Sequence, residues 1–169
     1  CNFSSQNDFF IIEAGINKKG EMGELAEIID PEIVVFTAFG KGHLEGFGNV
    51  ETVIQEKILL AENAKTIYLN GDNIYALKLK EDFSEKGKEV ILFGLQNHIT
   101  SQLSLLDYHL NPTEGITRFR CQIEGRIYHF QAPIFSPELI ILLLPVLHQA
   151  FQLGIEEDEV QIRFRILSR

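Results

Sequence analysis

Tryptophan is absent from this 169-residue chain, and cysteine, methionine and proline are scarce at two, one and five residues. Cys1 and Cys121 cannot build the multi-bridge framework of a small secreted domain, nor a four-ligand zinc site. A reducing compartment, the cytoplasm, is the expected location. Glycine, at 13 residues, is too rare for a collagen-like or low-complexity chain. The longest apolar run, Leu139 to Leu147, contains Pro145 and falls well short of the ~20 residues that span a bilayer. No signal peptide is visible, and Cys at position 1 in place of Met points to an excised or trimmed piece.

Positive charge is also short. Fifteen Lys and Arg against 24 Asp and Glu give a net charge of -9, and residues 1–64 alone hold 11 acids and 4 bases. Such a surface repels phosphate backbones, which argues against nucleic-acid binding. A function involving phosphates would need metal ions or another segment to supply the positive charge.

What is present is apolar patterning, with 45% hydrophobic residues, enough for a real core. The first hundred residues alternate short β-type runs with helical periodicity. Phe9-Phe10-Ile11-Ile12 predicts a buried strand ending in Glu13-Ala14-Gly15, and Glu21 to Ile29 a helix stopped by Asp30-Pro31. Ile33 to Phe36 predicts a second strand running into the Gly40–Gly48 loop, and Asn49 caps a helix reaching to about Asn63. Thr66 to Leu69 and Glu89 to Phe93 predict further strands around a helix from Ile74 to Phe83. Strands separated by helices mean βαβ units and a mostly parallel sheet flanked by helices, an α/β fold.

The pattern then changes. Gly115 to Pro133 predicts a β-hairpin turning at Glu124-Gly125, with Phe119, Cys121 and Ile123 facing inward. Leu139 to Leu153 predicts an apolar helix closed by Gly154, and Val160 to Leu167 an alternating tail. The expected organisation is one domain over 1–169, with a parallel α/β part (1–100), a small antiparallel part (101–133) and a final helix and tail (134–169).

Ligands of open α/β sheets bind beyond the carboxyl ends of the parallel strands. Two such ends carry chemistry, Glu13 after the first run and His43 in the loop after the second. Together they would suit a hard cation such as Mg²⁺. The plainer alternative makes Glu13 a helix cap and His43 a polar loop residue. Lys57 lies in the middle of the apolar face formed by Val53, Ile54, Leu60 and Ala61. It either snorkels to water or is desolvated into a neutral amine that can take up CO₂ as a carbamate. His98, His109, His129 and His148 have no ligand spacing, and the chain contains no Gly-x-x-x-x-Gly-Lys-Ser/Thr phosphate loop.

Glu13-Ala14-Gly15-Ile16-Asn17, then Gly20-Glu21-Met22, then His43-Leu44-Glu45-Gly46-Phe47-Gly48 resembles the Mur ligases. Glu56-Lys57, Ala61-Glu62-Asn63-Ala64-Lys65 and Asn70-Gly71-Asp72-Asn73 continue the likeness in order. It is strongest over residues 9–73 and toward the members that add D-alanyl-D-alanine to a UDP-muramoyl peptide. The resemblance implies a central ATPase domain of a three-domain peptidoglycan (cell-wall) ligase, using ATP and Mg²⁺ and an acyl-phosphate intermediate. By the same resemblance Glu13 and His43 are metal ligands, Lys57 is a carbamylated lysine, and Asn70 and Asp72 are weaker candidates for cofactor binding.

The departures are specific. The family's phosphate loop would precede residue 1, so this chain alone is expected to be inactive. Where the family carries its adenine-binding Gly-Arg-His-Asn and a later Asn, this chain has Ser136-Pro137-Glu138-Leu139 and Leu142. Ala38 replaces a common Asn. The competing expectations are a degenerate domain retained as a non-catalytic binding or scaffold module, and a folylpolyglutamate-synthase-like ligase. The missing partners expected for the parent are the phosphate-loop segment and the flanking domains.

Overall fold

The computed structural model describes residues 9–39, 49–95 and 101–166. They form two compact units, one within Cys1–Pro31 and Gly40–Asn63, the other within Glu32–Phe39 and Ala64–Arg169.

The first unit holds helix α1 (Glu21–Ile29) and helix α2 (Val50–Ile58), which continues as a 3₁₀ turn (Leu59–Ala61). α1 stops where Asp30 turns left-handed at φ 42 ahead of Pro31, a residue that cannot continue the helical hydrogen bonding. Asn49 caps α2 as its pattern predicts, its Oδ1 accepting from the Thr52 amide at 2.8 Å. Ile16, Met22 and Val53 form the core of the unit, with Ala14, Leu25, Leu59 and Leu60 packed against it.

The second unit is a six-stranded sheet in sequential order: β1 (Ile33–Phe36), β2 (Thr66–Asn70), β3 (Glu89–Leu95), β4 (Leu103–Asn111), β5 (Ile116–Ile123) and β6 (Arg126–Ala132). β1 to β4 pair in parallel, and β4, β5 and β6 pair antiparallel. This is the expected α/β fold with its antiparallel section. Helix α3 (Ala76–Glu85) joins β2 to β3, and α4 (Pro137–Gln152) and α5 (Glu157–Ile166) follow the hairpin. Five consecutive residues of β3, Val90 to Gly94, are buried, as in a parallel strand covered on both faces. β5 instead alternates, hiding Phe119, Cys121 and Ile123 and exposing Arg118 and Arg120. Glu124 at φ 49 and Gly125 at φ 84 give the turn both positive angles of a type I′ hairpin.

α4 lays Ile140, Ile141, Leu144 and Leu147 on this core, and α5 adds Val160 and Phe164. The ring of Phe164 meets Phe119 and Phe130 edge-on at 6.2 and 5.6 Å. α4 ends in a Schellman turn: Gly154 is left-handed at φ 81, and the Ile155 amide reaches the Ala150 carbonyl at 3.0 Å. Two glutamines stand in for peptide units. Gln102 bonds Leu92 N and Val90 O at 2.9 and 3.2 Å, prolonging the β3–β4 pairing. Gln161 of α5 bonds both N and O of Gln131 on β6 at 2.9 Å.

Two expectations are corrected, and one strand is added. Phe9 to Ile12 is not a buried strand: among the described residues it joins no ladder, and its side chains are exposed, Ile11 at 98%. β4, for which the sequence offered no reading, is a nine-residue strand whose alternation is broken by an irregularity between Leu105 and Asp107. The tail after Gly154 is helical: α5 buries Val160 and Phe164, four residues apart, and exposes Ile162 and Ile166. Pro145 lies buried inside α4.

Candidate metal and nucleotide site

In the first unit Glu13 is exposed on the segment leading into the loop before α1. Three ties hold that loop. The Ile16 side chain is buried in the unit core. The Glu21 carboxylate accepts from the amides of Asn17 and Lys18 at 2.7 and 2.9 Å. These backbone hydrogen bonds hold the Glu21 carboxyl below its ordinary pKa. Finally, Glu56 on α2 accepts from the Gly20 amide at 2.8 Å.

Lys57 follows Glu56 on α2 and is half-buried. Desolvation by burial lowers its amine pKa below the ordinary lysine value, the direction that makes a neutral nucleophilic amine more accessible. His43 lies outside the described residues. Among the described residues no group of three or more His, Cys, Asp or Glu side chains has metal-binding geometry. The donor types proposed for the site, a carboxylate, an imidazole and a carbamate, fit a hard divalent cation. Sequence reading missed Glu56; an acid beside Lys57 within the stripe of Val53 and Ile54 was the available signal.

In the second unit Asn70, Gly71, Asp72 and Asn73 sit at the carboxyl end of β2, where a parallel sheet offers its ligand crevice. Their polar atoms bind the neighbouring strand ends together. Asn70 reaches the Thr37 carbonyl at 3.4 Å, and Asn73 reaches the Phe39 carbonyl at 2.9 Å. The Leu95 amide donates to both oxygens of Asp72 at 3.1 Å, and Asn70 Oδ1 accepts from the Asp72 amide at 3.0 Å. Gly94 permits this approach: a Cβ there would fall 2.8 Å from Asp72 Oδ1. Asn70 and Asp72 therefore tie together the ends of β1, β2 and β3.

Where the family's adenine motif would fall, Ser136 caps α4, its hydroxyl accepting from the Leu139 amide at 3.4 Å. Leu142 packs against the hydrophobic core. A second polar cluster, unrecognised in the sequence, lies inside this unit. Tyr68 is fully buried and its hydroxyl meets His148 Nδ1 at 2.6 Å, while Gln149 donates to the same hydroxyl at 2.6 Å. The hydroxyl proton therefore points to Nδ1, which leaves Nε2 to carry hydrogen and donate to Glu124 Oε1 at 3.1 Å. Desolvation raises the Tyr68 pKa above its ordinary value.

The family model of the Mur ligase middle domain matches residues 2–137. A UDP-N-acetylmuramoyl-tripeptide--D-alanyl-D-alanine ligase of Borreliella burgdorferi is 25% identical over 157 residues, 91% of this chain and 32% of that protein. The ligase of the same name from Rickettsia prowazekii is 29% identical over 63 residues, 37% of this chain and 14% of that protein. Among solved structures, MurF from Acinetobacter baumannii superposes with a TM-score of 0.73 at 15% identity, covering 89% of this chain and 32% of that one. MurF of Thermotoga maritima, in complex with ADP, gives 0.69 at 16% identity, covering 86% and 33%. The chain thus spans about a third or less of each relative it matches. With most of its length matched by that family model and its sheet superposing on the same fold, the chain belongs to the Mur ligase middle domain family.

Proposed function

We propose that the protein containing this chain is an ATP-dependent amide-bond ligase of peptidoglycan precursor synthesis, adding D-alanyl-D-alanine to a UDP-muramoyl peptide. The names of its relatives supply the substrate pair. In the proposed sequence the peptide carboxylate attacks the terminal phosphorus of ATP, forming an acyl phosphate as the bond from that phosphorus to ADP breaks. The dipeptide amine then attacks the acyl carbon, forming the C–N bond as phosphate departs and the amine loses a proton. Bound Mg²⁺ would neutralise charge on the transferring phosphoryl group.

The observation that carries this reading is Lys57, a half-buried lysine whose amine is shifted toward its neutral form. Its ammonium would first lose one proton; the neutral nitrogen would then add to CO₂, forming an N–C bond and releasing a second proton, which turns a cation into an anionic oxygen donor. Glu13 and His43 would supply the carboxylate and imidazole of the metal site, and Asn70 and Asp72 would support the nucleotide crevice. The 169-residue sequence contains no phosphate loop, and by itself we propose it to be inactive.

Calorimetric Mg²⁺ titration of the chain tests the site. Binding that Glu13→Gln and His43→Ala both weaken is the expected result. No binding, or binding indifferent to both, would favour a non-catalytic binding module. That second reading draws on Ser136 and Leu142, which serve the helix cap and core packing where the family places its adenine ligands.

A further inference from the structure

We infer that Glu56 is a positioning residue, fixing the loop that follows Glu13 to the helix that carries Lys57; the inference rests on the metal-site reading above. Glu56 is 6% exposed, with Val53 and Ile54 as the other buried side chains of α2. Burying a carboxylate costs free energy that an apolar residue of similar size would avoid. Its partner at that cost is the Gly20 amide, 36 residues away in sequence and 2.8 Å away in space.

The location of that amide gives the contact its consequence. Gly20 is left-handed at φ 96 and caps α1, so it sets the direction in which the chain enters the helix. A negative charge there is also favoured by the helix dipole and the unsatisfied amides of the first turn. Glu21 already secures Asn17 and Lys18 from within the loop's own helix. Glu21 therefore gives the loop its internal shape, and Glu56 registers that shape against α2. Since Lys57 is the next residue on α2, one hydrogen bond links the placement of Glu13's segment to that of the lysine. The adjacent side chains diverge along the helix, so Glu56 holds the backbone while Lys57 keeps its own direction.

The test is ¹³C NMR of the 169-residue chain in ¹³C-bicarbonate with Mg²⁺, following the carbamate signal that Lys57→Ala abolishes. Glu56→Asp keeps the charge but shortens the reach by one methylene; Glu56→Gln keeps the reach and an acceptor oxygen but removes the charge. Glu56→Asp should lower carbamate occupancy about tenfold, the scale of outer-sphere effects at metal sites, while Glu56→Gln largely retains it. Amide exchange at Gly20 should accelerate in Glu56→Asp alone, a readout available without metal. Wild-type occupancy in Glu56→Asp, or equal loss in both variants, would overturn the positioning role. No carbamate in the wild-type chain would remove the metal-site reading and the positioning role with it, even if Gly20 exchange confirmed the hydrogen bond.

Discussion

Replacing Tyr68 by Phe removes one oxygen from the interior of the second unit and leaves the ring in place. The hydroxyl meets two partners at 2.6 Å, His148 Nδ1 and Gln149 Nε2. His148 is 4% exposed, so its orphaned Nδ1 has no route to water, at a cost of about 1–3 kcal/mol. Gln149 is half-buried and can turn to solvent, adding little. A loss of about 2 kcal/mol follows, or a fall in Tm of about 4–8 °C for a chain of this size. Denaturant and thermal unfolding would measure it. The double variant Tyr68→Phe/His148→Leu takes away both sides of the contact and leaves Glu124, whose side chain is 60% exposed, to solvent. It should therefore be destabilised by less than the two single changes added together, with a coupling of about 0.5–3 kcal/mol. A Tyr68→Phe stability within about 0.5 kcal/mol of wild type, the range of ordinary surface changes, would show that the buried Tyr68–His148 contact contributes no stability.

Burial pushes the Cys121 thiol up to about 12, and Glu157 adds to the effect. A raised pKa means the folded state holds its proton longer than the unfolded chain. This contribution is therefore complete below about pH 9 and is lost as pH rises toward 12; Cys121→Ala should flatten the alkaline limb of a stability–pH curve. Gly94→Ala should displace the Asp72 carboxylate and break its contact with the Leu95 amide, visible as faster exchange at Leu95. Phe164→Ala should cost about 3–5 kcal/mol by opening a cavity beside Phe119 and Phe130, measured by chemical denaturation.

β1, β2, β3 and the hairpin were legible because their signals are local. Ile33 to Phe36 and Thr66 to Leu69 are short apolar runs between turn residues, and Glu124-Gly125 is a turn pair between alternating segments. Where two periods coincided, sequence misled. Val160, Ile162, Phe164 and Ile166 alternate perfectly, yet Val160 and Phe164 also sit one helical turn apart. Acids at Glu157, Asp158 and Glu159 with Arg163 and Arg165 at the far end favour the helix through its dipole. β4 was hidden by its irregularity, and Phe9 to Ile12 was misread because burial is a property of neighbours.

The site divides along the same line. Lys57 was visible as a charge in an apolar stripe, and in the structure it is half-buried, with desolvation lowering its pKa. The role of Glu56 depends on a contact with Gly20, and that of His148 on a contact with Tyr68, across 36 and 80 residues. Nothing in local spacing announces either. His43 lies outside the described residues, and its proposed role rests on the family resemblance.

The Gln161 side chain has a consequence for the company this molecule keeps in solution. β6 ends the sheet among the described residues, and a bare strand edge is a template on which another chain can crystallise its own backbone. By spending one amide on Gln131, α5 presents a passer-by with a helix where a half-finished ladder would be. The last helix thus acts as a seal as well as a packing element, and losing it would first be felt as adhesion between copies.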